Sequence, residues 1–560
     1  MPGPMPASPG PVSPAPASPG PPGEAARSLP SGFGVTLDAA TKQLSDGSLF
    51  GGSPARVLRL TAAGQQALTE LRAGPIRSVA AAVLARRLTD NGMAHPVPPA
   101  ADPDRQVDVT VVIPVRDRAA MLERCLAAVA GRYPVVVVDD GSADEAAVAA
   151  VAARHGASVL RRTSSGGPAA ARNSGLAAIH TELVAFLDSD CAPPPGWIEG
   201  LAAHLADPLV AAVAPRIVAL APCTAAGRYE QARGSLDLGD QAARVVPASR
   251  VSYVPTAALL ARRAALETVR PGTVAPRIVA PGTVAAGTVT AGTVTPGTVA
   301  PGTVAPGTVA PSTGAVFDPA LRYGEDVDLV WRLHEAGWRI RYEPSVQVPH
   351  AGPETWAGLL ARRFRYGTSA APLARRHPAH LAPLVLQPWP TVAVGAALAR
   401  RPVAATAATA AAWLDIVSAV RRAGVPADGA PAAALTAVRQ TWLGIGRYAT
   451  QFAAPALAVA LAAPGRNGPP RIAVSRNAAV RTAAGTRAAA ASLLLGPALT
   501  GYAQQRPALD PVRYVLAHIA DDVCYGAGVW AGCLRERTLV PVTPRISWRP
   551  VRVTRTEGKV

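Results

Sequence analysis

Three observations predict an α/β, Rossmann-like core, with a small α+β module before it and an Ala-rich helical region after it. Apolar strand-like runs alternate with helix-length segments between Asp108 and Ile217, the pattern of a parallel sheet with crossover helices. Two of those runs, VVVVDD and VAFLDSD, stop abruptly in carboxylates. The texture changes on both sides, to strand-and-helix pieces over 29–95 and to Ala-rich, weakly charged stretches over 356–547.

Length and composition bound the rest. A chain of 560 residues has room for several domains and a sizeable core. It is 49% hydrophobic but only 4% aromatic, with 57 Pro and 50 Gly, so Ala and Val carry the apolarity and long stretches are punctuated. Lysine occurs only at Lys42 and Lys559, so the charge of +18 is almost wholly arginine. That balance permits nucleic acid or an anionic membrane surface as partner. No arginine–aromatic stripe or zinc-ligand spacing supports the first, and no nucleic-acid partner is expected. The cysteines (Cys125, Cys191, Cys223, Cys524 and Cys533) are odd in number and scattered, which fits a reducing cytoplasmic setting better than a disulfide framework. No basic flank followed by an apolar core opens the chain, so no signal peptide is expected.

In chain order, residues 1–28 are Pro, Ala, Ser and Gly and predict a disordered tail. Within 29–95, strand-like Phe33-Leu37 and Val57-Leu60 bracket the turn-rich Gly51-Gly52-Ser53-Pro54. Thr61 can cap a helix through Leu71, and a second helical pattern spans Ile76 to Leu88. These pieces suggest a winged-helix-like module, for which Arg77, Arg86 and Arg87 give only a weak basis for a DNA-recognition helix. The Pro-rich segment that follows makes 96–107 a linker.

The core then runs Val109-Val115 (strand), Arg118-Ala130 (helix), Pro134-Val138 (strand), Val159-Leu160 (strand), Pro168-Ile179 (helix) and Leu183-Leu187 (strand). Asp188 and Asp190 cap the last of these. Two carboxylates one residue apart are costly to hold together unless a cation neutralises them, and Mg²⁺ or Mn²⁺ takes such oxygen ligands and shares them with substrate phosphates. A solvated Asp-Ser-Asp turn is the bland alternative. Open α/β sheets bind ligands beyond the carboxyl ends of their strands, where Arg116, Asp139, Asp140, Asp188 and Asp190 would gather. Acids beside arginines there suit a nucleotide diphosphate.

VVIPVRDR, VVVDDGS, GGPAAARNSG and AFLDSD, followed later by GEDVDL, WRLHEAGWRIRYEP and His350, resemble in order and spacing the family 2 glycosyltransferases of GT-A fold. The resemblance implies a GT-A domain over 108–355 that transfers a sugar with inversion from a nucleotide sugar, usually with a divalent metal, Mg or Mn. Carried over by residue, it assigns Pro114 and Arg116 to the loop cradling the nucleotide and Asp139 or Asp140 to hydrogen bonds from the base. Arg172 and Asn173 would brace that pocket. Asp188 would face the ribose or the metal, Asp190 would hold the metal, and His350 would be a further metal ligand or simply a partly buried loop histidine. Asp326 matches the catalytic base. Inverting substitution needs such a base and a Lewis acid for the departing diphosphate. Burial and the neighbouring Glu325 or Asp328 would keep the Asp326 pKa from falling; the same acids also suit a helix amino terminus.

Gly51-Gly52-Ser53-Pro54-Ala55-Arg56, VAPRIVAL, SLDLG, VSYVP, YGTSAAPLARRHP and DDVCYGAGVWAGCLRER sharpen the resemblance to the glycosyltransferases of the mycofactocin system. That likeness implies a PqqD-like peptide-recognition module at 29–95, UDP-glucose as donor, and a ribosomally made peptide-derived redox cofactor, mycofactocin, or its precursor peptide as acceptor. The chain departs from it over 271–313, where Pro-Gly-Thr-Val-Ala repeats predict an elastin-like surface loop, tolerated because closure entropy grows slowly with length. The alternative is a repeat that disturbs the acceptor half and leaves a peptide-binding scaffold with impaired transferase. The QxxRW signature of processive synthases is missing after Trp356, which speaks against a polymer channel. Thr391-Ala399, Val403-Val420, Trp442-Ala463 and Ala488-Tyr502 approach the length of membrane spans, but alanine and proline content favours a bundle on the inner face of the cell membrane. Ordinary buried helices are the competing reading, and a transferase of cell-surface or lipid-linked glycan the competing function. Residues 548–560 form a basic tail.

Overall fold

The computed structural model describes residues 27–53, 55–100, 106–129, 131–270, 315–422, 427, 429–462, 473–547 and 554–557. Nearly all of the expected tail, the whole 271–313 repeat and most of the basic tail lie outside the described residues.

The amino-terminal module contains β1 (Gly34–Leu37), β2 (Lys42–Gln43), β3 (Leu49–Gly51), β4 (Arg56–Arg59), α1 (Ala62–Ala73), α2 (Val79–Asp90) and β5 (Ala94–Val97). Thr61 and Ser78 start the helices, each hydroxyl accepting at 3.1 Å from an otherwise orphaned N–H, of Gly64 and Ala81. β5 pairs antiparallel with β1, so Pro96 and Val97, expected to open the linker, belong to a strand; Ala-His-Pro-Val has no alternation to betray it. Arg86 does not face solvent as part of a basic helix face. It is 2% exposed and grips Asp207 of the core with two bonds, at 2.7 and 2.8 Å. Asp90 does the same with Arg339 at 2.8 and 3.1 Å. These pairs dock the module on the core.

The core contains β6 (Val109–Val115), α3 (Ala119–Val129), β7 (Val135–Asp139), α4 (Glu145–Arg154), β8 (Ser158–Arg161), α5 (Gly167–Ala177), β9 (Leu183–Leu187), α6 (Trp197–Ala202), β10 (Val210–Ala219), α7 (Ala225–Arg233), β11 (Ala243–Arg244), β12 (Ala258–Arg262), α8 (Arg263–Glu267), α9 (Glu325–Glu335) and β13 (Arg339–His350). They build an eight-stranded sheet in the order β11-β13-β10-β12-β9-β6-β7-β8. The central strands are buried on both faces, whereas edge strand β8 is largely exposed. Val112, Val138, Val184 and Phe186 pack with α5 and α9, whereas Val111, Ile113, Val137 and Ala185 pack with α3, α4 and α6. Gly175 lets α5 settle onto the sheet, because a Cβ there would overlap Val112. Strands β6, β7, β8 and β9 run parallel, as the alternation predicts, and beyond them the sheet is mixed: β12 runs antiparallel to both β9 and β10. The first four residues of β12, Ala-Leu-Leu-Ala, are fully buried, so its hydropathy gives no sign of its direction.

The carboxyl-terminal region contains α10 (Trp356–Gly367), α11 (Ala370–Arg376), β14 (Val385–Leu386), α12 (Pro388–Leu398), α13 (Pro402–Arg422), α14 (Ala430–Phe452), α15 (Ala454–Ala462), α16 (Ala473–Gln505), α17 (Pro511–Glu536), β15 (Arg545–Ile546) and β16 (Thr554–Glu557). The apolar stretch 442–463 breaks into α14 and α15 at Ala453, with Pro455 in the first turn of the second helix. α17 is the element the sequence hides. Gly526, Gly528 and Gly532 lower its helix propensity, yet each sits where a Cβ would overlap backbone of Gln451, Phe364 or Thr368. The helix is glycine-rich because α10 and α14 approach it backbone to backbone. A buried charge network ties it to the core: Arg363 meets Asp521 at 2.8 Å, the Tyr229 hydroxyl donates to Asp521 at 3.0 Å, and Glu230 pairs with Arg362. Among the described residues one helix, α13, is long and apolar enough to cross a membrane.

Candidate active site

β6, β7 and β9 run parallel, so their carboxyl ends share one edge. Pro114 lies two residues beyond the last β6–β9 pair, Val112 with Phe186, where its missing N–H costs no bond to that neighbour. Arg116 follows and donates to the Ser165 hydroxyl at 2.9 Å. The β7 acids organise the loop between β8 and α5. Asp139 accepts from the Ser142 N–H at 2.9 Å and pairs with Arg161. Asp140 accepts from Arg162 Nε (2.8 Å), the Ser165 hydroxyl (2.8 Å) and the N–H groups of Gly166 (3.0 Å) and Gly167 (2.8 Å). Burial alone would raise the Asp140 carboxyl, but these donors hold it below the usual range. Both carboxylates therefore meet protein donors and order the loop between β8 and α5.

Asp188, at the tip of β9, accepts from Arg172 Nη2 at 2.7 Å, and the same guanidinium donates through Nη1 to Glu325 Oε1 at 2.8 Å. Arg172 is 3% exposed and lies over the Phe317 ring at 5.8 Å. One buried cation thus joins the donor-side strand tips to the first turn of α9, which carries Asp326. Gly324 enters that turn at φ +81°, a left-handed geometry, with α11 so near that a Cβ would lie 2.9 Å from Leu373. Burial and the adjacent Asp326 charge push the Glu325 carboxyl up to about 7 against the pull of Arg172. Asp326 is raised as well, by desolvation first, with the Asp188 charge adding to it; the Val327 N–H at 2.8 Å and Arg172 oppose this. Asp326 forms no ion pair among the described residues. A carboxylate with spare acceptor capacity and a raised pKa has the properties required of a general base.

Asp190 lies beyond the same strand tip. The end of β13 is stitched beside it, through the Ala351 N–H to the Asp190 carbonyl and the Ala192 N–H to the Pro349 carbonyl, at 2.9 Å each. This brings His350 Nε2 to 3.3 Å from Asp190 Oδ1, an oxygen that is buried and lacks a hydrogen-bond partner. Arg118 holds the other oxygen at 2.7 Å. Burial would raise Asp190, but His350 and Arg118 outweigh it and keep the carboxyl low; burial would lower His350, and Asp190 outweighs that to raise it. An orphaned buried carboxylate oxygen facing an imidazole, one residue from Asp188, is a donor set that fits a divalent cation.

The edge therefore brings together Pro114, Arg116, Asp139, Asp140, Arg172, Asp188, Asp190 and His350, with Asp326 linked to it through Glu325 and Arg172. Asn173 pins the chain where the repeat rejoins it, its amide accepting from the N–H groups of Val316 and Phe317 at 3.0 and 2.9 Å and donating to the Phe317 carbonyl at 2.7 Å. Sequence reasoning missed Arg118, Arg161, Arg162 and Ser165. Their signal was available, since each lies within a few residues of a strand tip on the acidic edge.

An acidic strand edge whose donor set fits a divalent cation, a buried arginine and a general-base candidate linked to it are consistent with a sugar-transfer site, and residues 110–269 match the family described as Glycosyl transferase family 2. The protein is a glycosyltransferase built on a GT-A core. Two curated relatives, the pre-mycofactocin glycosyltransferases of Mycobacterium tuberculosis strains CDC 1551 and H37Rv, are each 37% identical over 539 residues, covering 93% of this chain and 99% of theirs. The chain belongs to that family, the family 2 glycosyltransferases of the mycofactocin system. Among solved structures it is similar to a Pyrobaculum calidifontis mannosyltransferase in complex with GDP-Man and Mn²⁺ (19% identity, 71% of this chain and 90% of that one, TM-score 0.33). It is also similar to the Mycobacterium tuberculosis glucosyl-3-phosphoglycerate synthase (22%, 29% and 59%, TM-score 0.21).

Proposed function

We propose that the protein transfers glucose, with inversion, from UDP-glucose to mycofactocin or its precursor peptide. The observation that carries the reading is the Asp188–Arg172–Glu325 bridge, which ties the donor edge to the turn bearing Asp326. In this reading the diphosphate lies along the edge beside Arg116 and Arg118, and the base is received by the pocket that Pro114, Asp139 and Asp140 shape. Asp188, Asp190 and His350 would hold Mg²⁺ or Mn²⁺, which when bound supplies the Lewis acid that neutralises the departing diphosphate. Asp326 takes the proton from the acceptor hydroxyl as it attacks the anomeric carbon from the face opposite the leaving group. Arg172 keeps Glu325 and Asp188 in place around it.

The acceptor identity rests on the relatives' name, and the donor sugar on the family resemblance alone. The module at 29–95 would present the peptide in the manner of PqqD-like domains. Exposed Trp389, Val403, Trp413 and Leu414 on α12 and α13 support attachment to the inner face of a membrane. The test is incubation of the full chain with UDP-glucose, Mn²⁺ or Mg²⁺ and the precursor peptide, read by mass. Hexose increments on the peptide are expected. UDP-glucose consumed without increments would remove the acceptor, and increments only from another nucleotide sugar would remove the donor.

A further inference from the structure

The other end of α9 carries a second cluster that takes no part in the proposed transfer. Glu335 is on its last turn, about 14 Å along the helix axis from Asp326. His377 follows α11 directly, and a turn closed by the His380 N–H on the His377 carbonyl, at 3.0 Å, brings His380 beside it. Each of the three side chains offers a ligand atom, and these atoms lie within 4.8 Å of one another. Glu335 Oε1 is 3.1 Å from His377 Nδ1 and 2.8 Å from His380 Nε2. The imidazoles are stacked at 17°, and the edge-on contacts of Trp331 with both, at 5.2 and 5.4 Å, fix the ring planes without using a ring nitrogen.

The remaining nitrogen of His377 decides the reading. Its Nε2 is 3.0 Å from Oδ1 of Asp328, itself buried and held by Arg332 at 2.8 Å. A carboxylate on the far nitrogen fixes the tautomer with the proton on Nε2 and the lone pair on Nδ1, aimed at Glu335 and His380. That outer arrangement accompanies metal-bound histidines and raises their basicity. We propose that Glu335, His377 and His380 bind one divalent cation of the zinc class. Two imidazoles and one carboxylate favour Zn²⁺ or Co²⁺ over Mg²⁺, which prefers all-oxygen sets, so this site and the one at Asp190 select different ions. The cation clamps α11 to the carboxyl-terminal end of α9, the helix whose first turn presents Asp326. The competing occupant is a proton on His377 Nδ1, which would make the cluster an ordinary ion pair.

The experiment uses the full chain carrying Asp190→Ala, so that the donor edge cannot contribute, stripped with chelator and titrated with Co²⁺ and then Zn²⁺. Expected are uptake of one equivalent with the visible d–d bands of nitrogen-ligated Co²⁺, displacement by Zn²⁺ but not by excess Mg²⁺, and a rise in melting temperature. His380→Ala and, separately, Glu335→Gln, both on partly or fully exposed side chains, should each weaken binding at least about tenfold with the far-UV spectrum unchanged. Absence of the d–d bands, or affinity within about twofold of the parent in both folded variants, overturns the site.

Discussion

Asp326→Asn should separate catalysis from stability, and in opposite directions. Glu325 is buried and Asp326 half-buried at the start of α9 beside a single guanidinium, and the Glu325 carboxyl is lifted from 4.5 to about 7. At about 1.4 kcal/mol per unit, holding the pair fully ionised costs on the order of 3 kcal/mol. The sign follows from the direction of the shift. A folded pKa above the unfolded one contributes stability that is fully present below about 4.5 and is lost as pH rises through about 7. Asparagine removes the charge that repels Glu325 while keeping the shape, so it recovers the repulsive share, about 1–2 kcal/mol at pH 8.5, and nothing at pH 4. Sugar transfer, in contrast, should fall by about 10²–10⁴-fold with the base gone. Wild-type transfer should itself decline on acidification, beginning above the usual carboxylate range, as the raised Asp326 carboxyl takes up its proton. The assays are melting temperature against pH for both proteins, and hexose incorporation under saturating donor. Transfer within about tenfold of wild type would remove Asp326 from the proton-taking role. A variant less stable than wild type at pH 8.5 would refute the buried-charge account.

Other consequences are as direct. Asp190→Ala should abolish the metal dependence of nucleotide binding, seen in calorimetry as at least a tenfold loss with Mn²⁺ present and little change without it. Gly528→Ala forces a Cβ into the Phe364 carbonyl at the α10–α17 seam and should cost about 3 kcal/mol or more, read as a lowered urea midpoint. Removal of residues 271–313 should leave the fold intact, because Arg332 donates to the carbonyls of both Val269 and Val316 and so already holds the two ends of the repeat together. Shortening that closure should stabilise by about 2 kcal/mol, with transfer retained; a collapse of either would show the repeat to be part of the core.

The donor edge was legible in the sequence because its chemistry is local. Asp139 and Asp188 directly follow apolar runs, with Asp140 and Asp190 one and two residues further on, so strand end and carboxylate are read in one window, and parallel pairing gathers them. The expected strands and helices between Val109 and Leu187 fell within a residue or two of their limits for the same reason, whereas α4 (Glu145–Arg154) was not among those expected. What the window cannot see is direction and distance. β12 is apolar whichever way it runs. α17 reads as glycine-broken until Phe364 and Gln451 are seen against it. Asn173 gives no sign of Val316, on the far side of the repeat, returning to it.

The Arg172–Glu325 pair, 153 residues apart, is the sharpest case of that blindness and also the reason the site hangs together. Taken separately, the ARN element and the Glu-Asp pair could each be structural, an arginine in a helix and acids at a helix start. Brought together they leave one guanidinium facing Asp188, Glu325 and, by its charge, Asp326. One positive charge cannot pay for three negative ones in a buried cleft, and the surplus appears as the raised Glu325 and Asp326 carboxyls. A purely structural ion pair would have been closer to neutral, because an unbalanced charge inside a protein only destabilises it. The imbalance sits at the one place where the strand tips and α9 meet, which is where a reaction that takes a proton from an incoming hydroxyl needs a carboxylate that is costly to ionise.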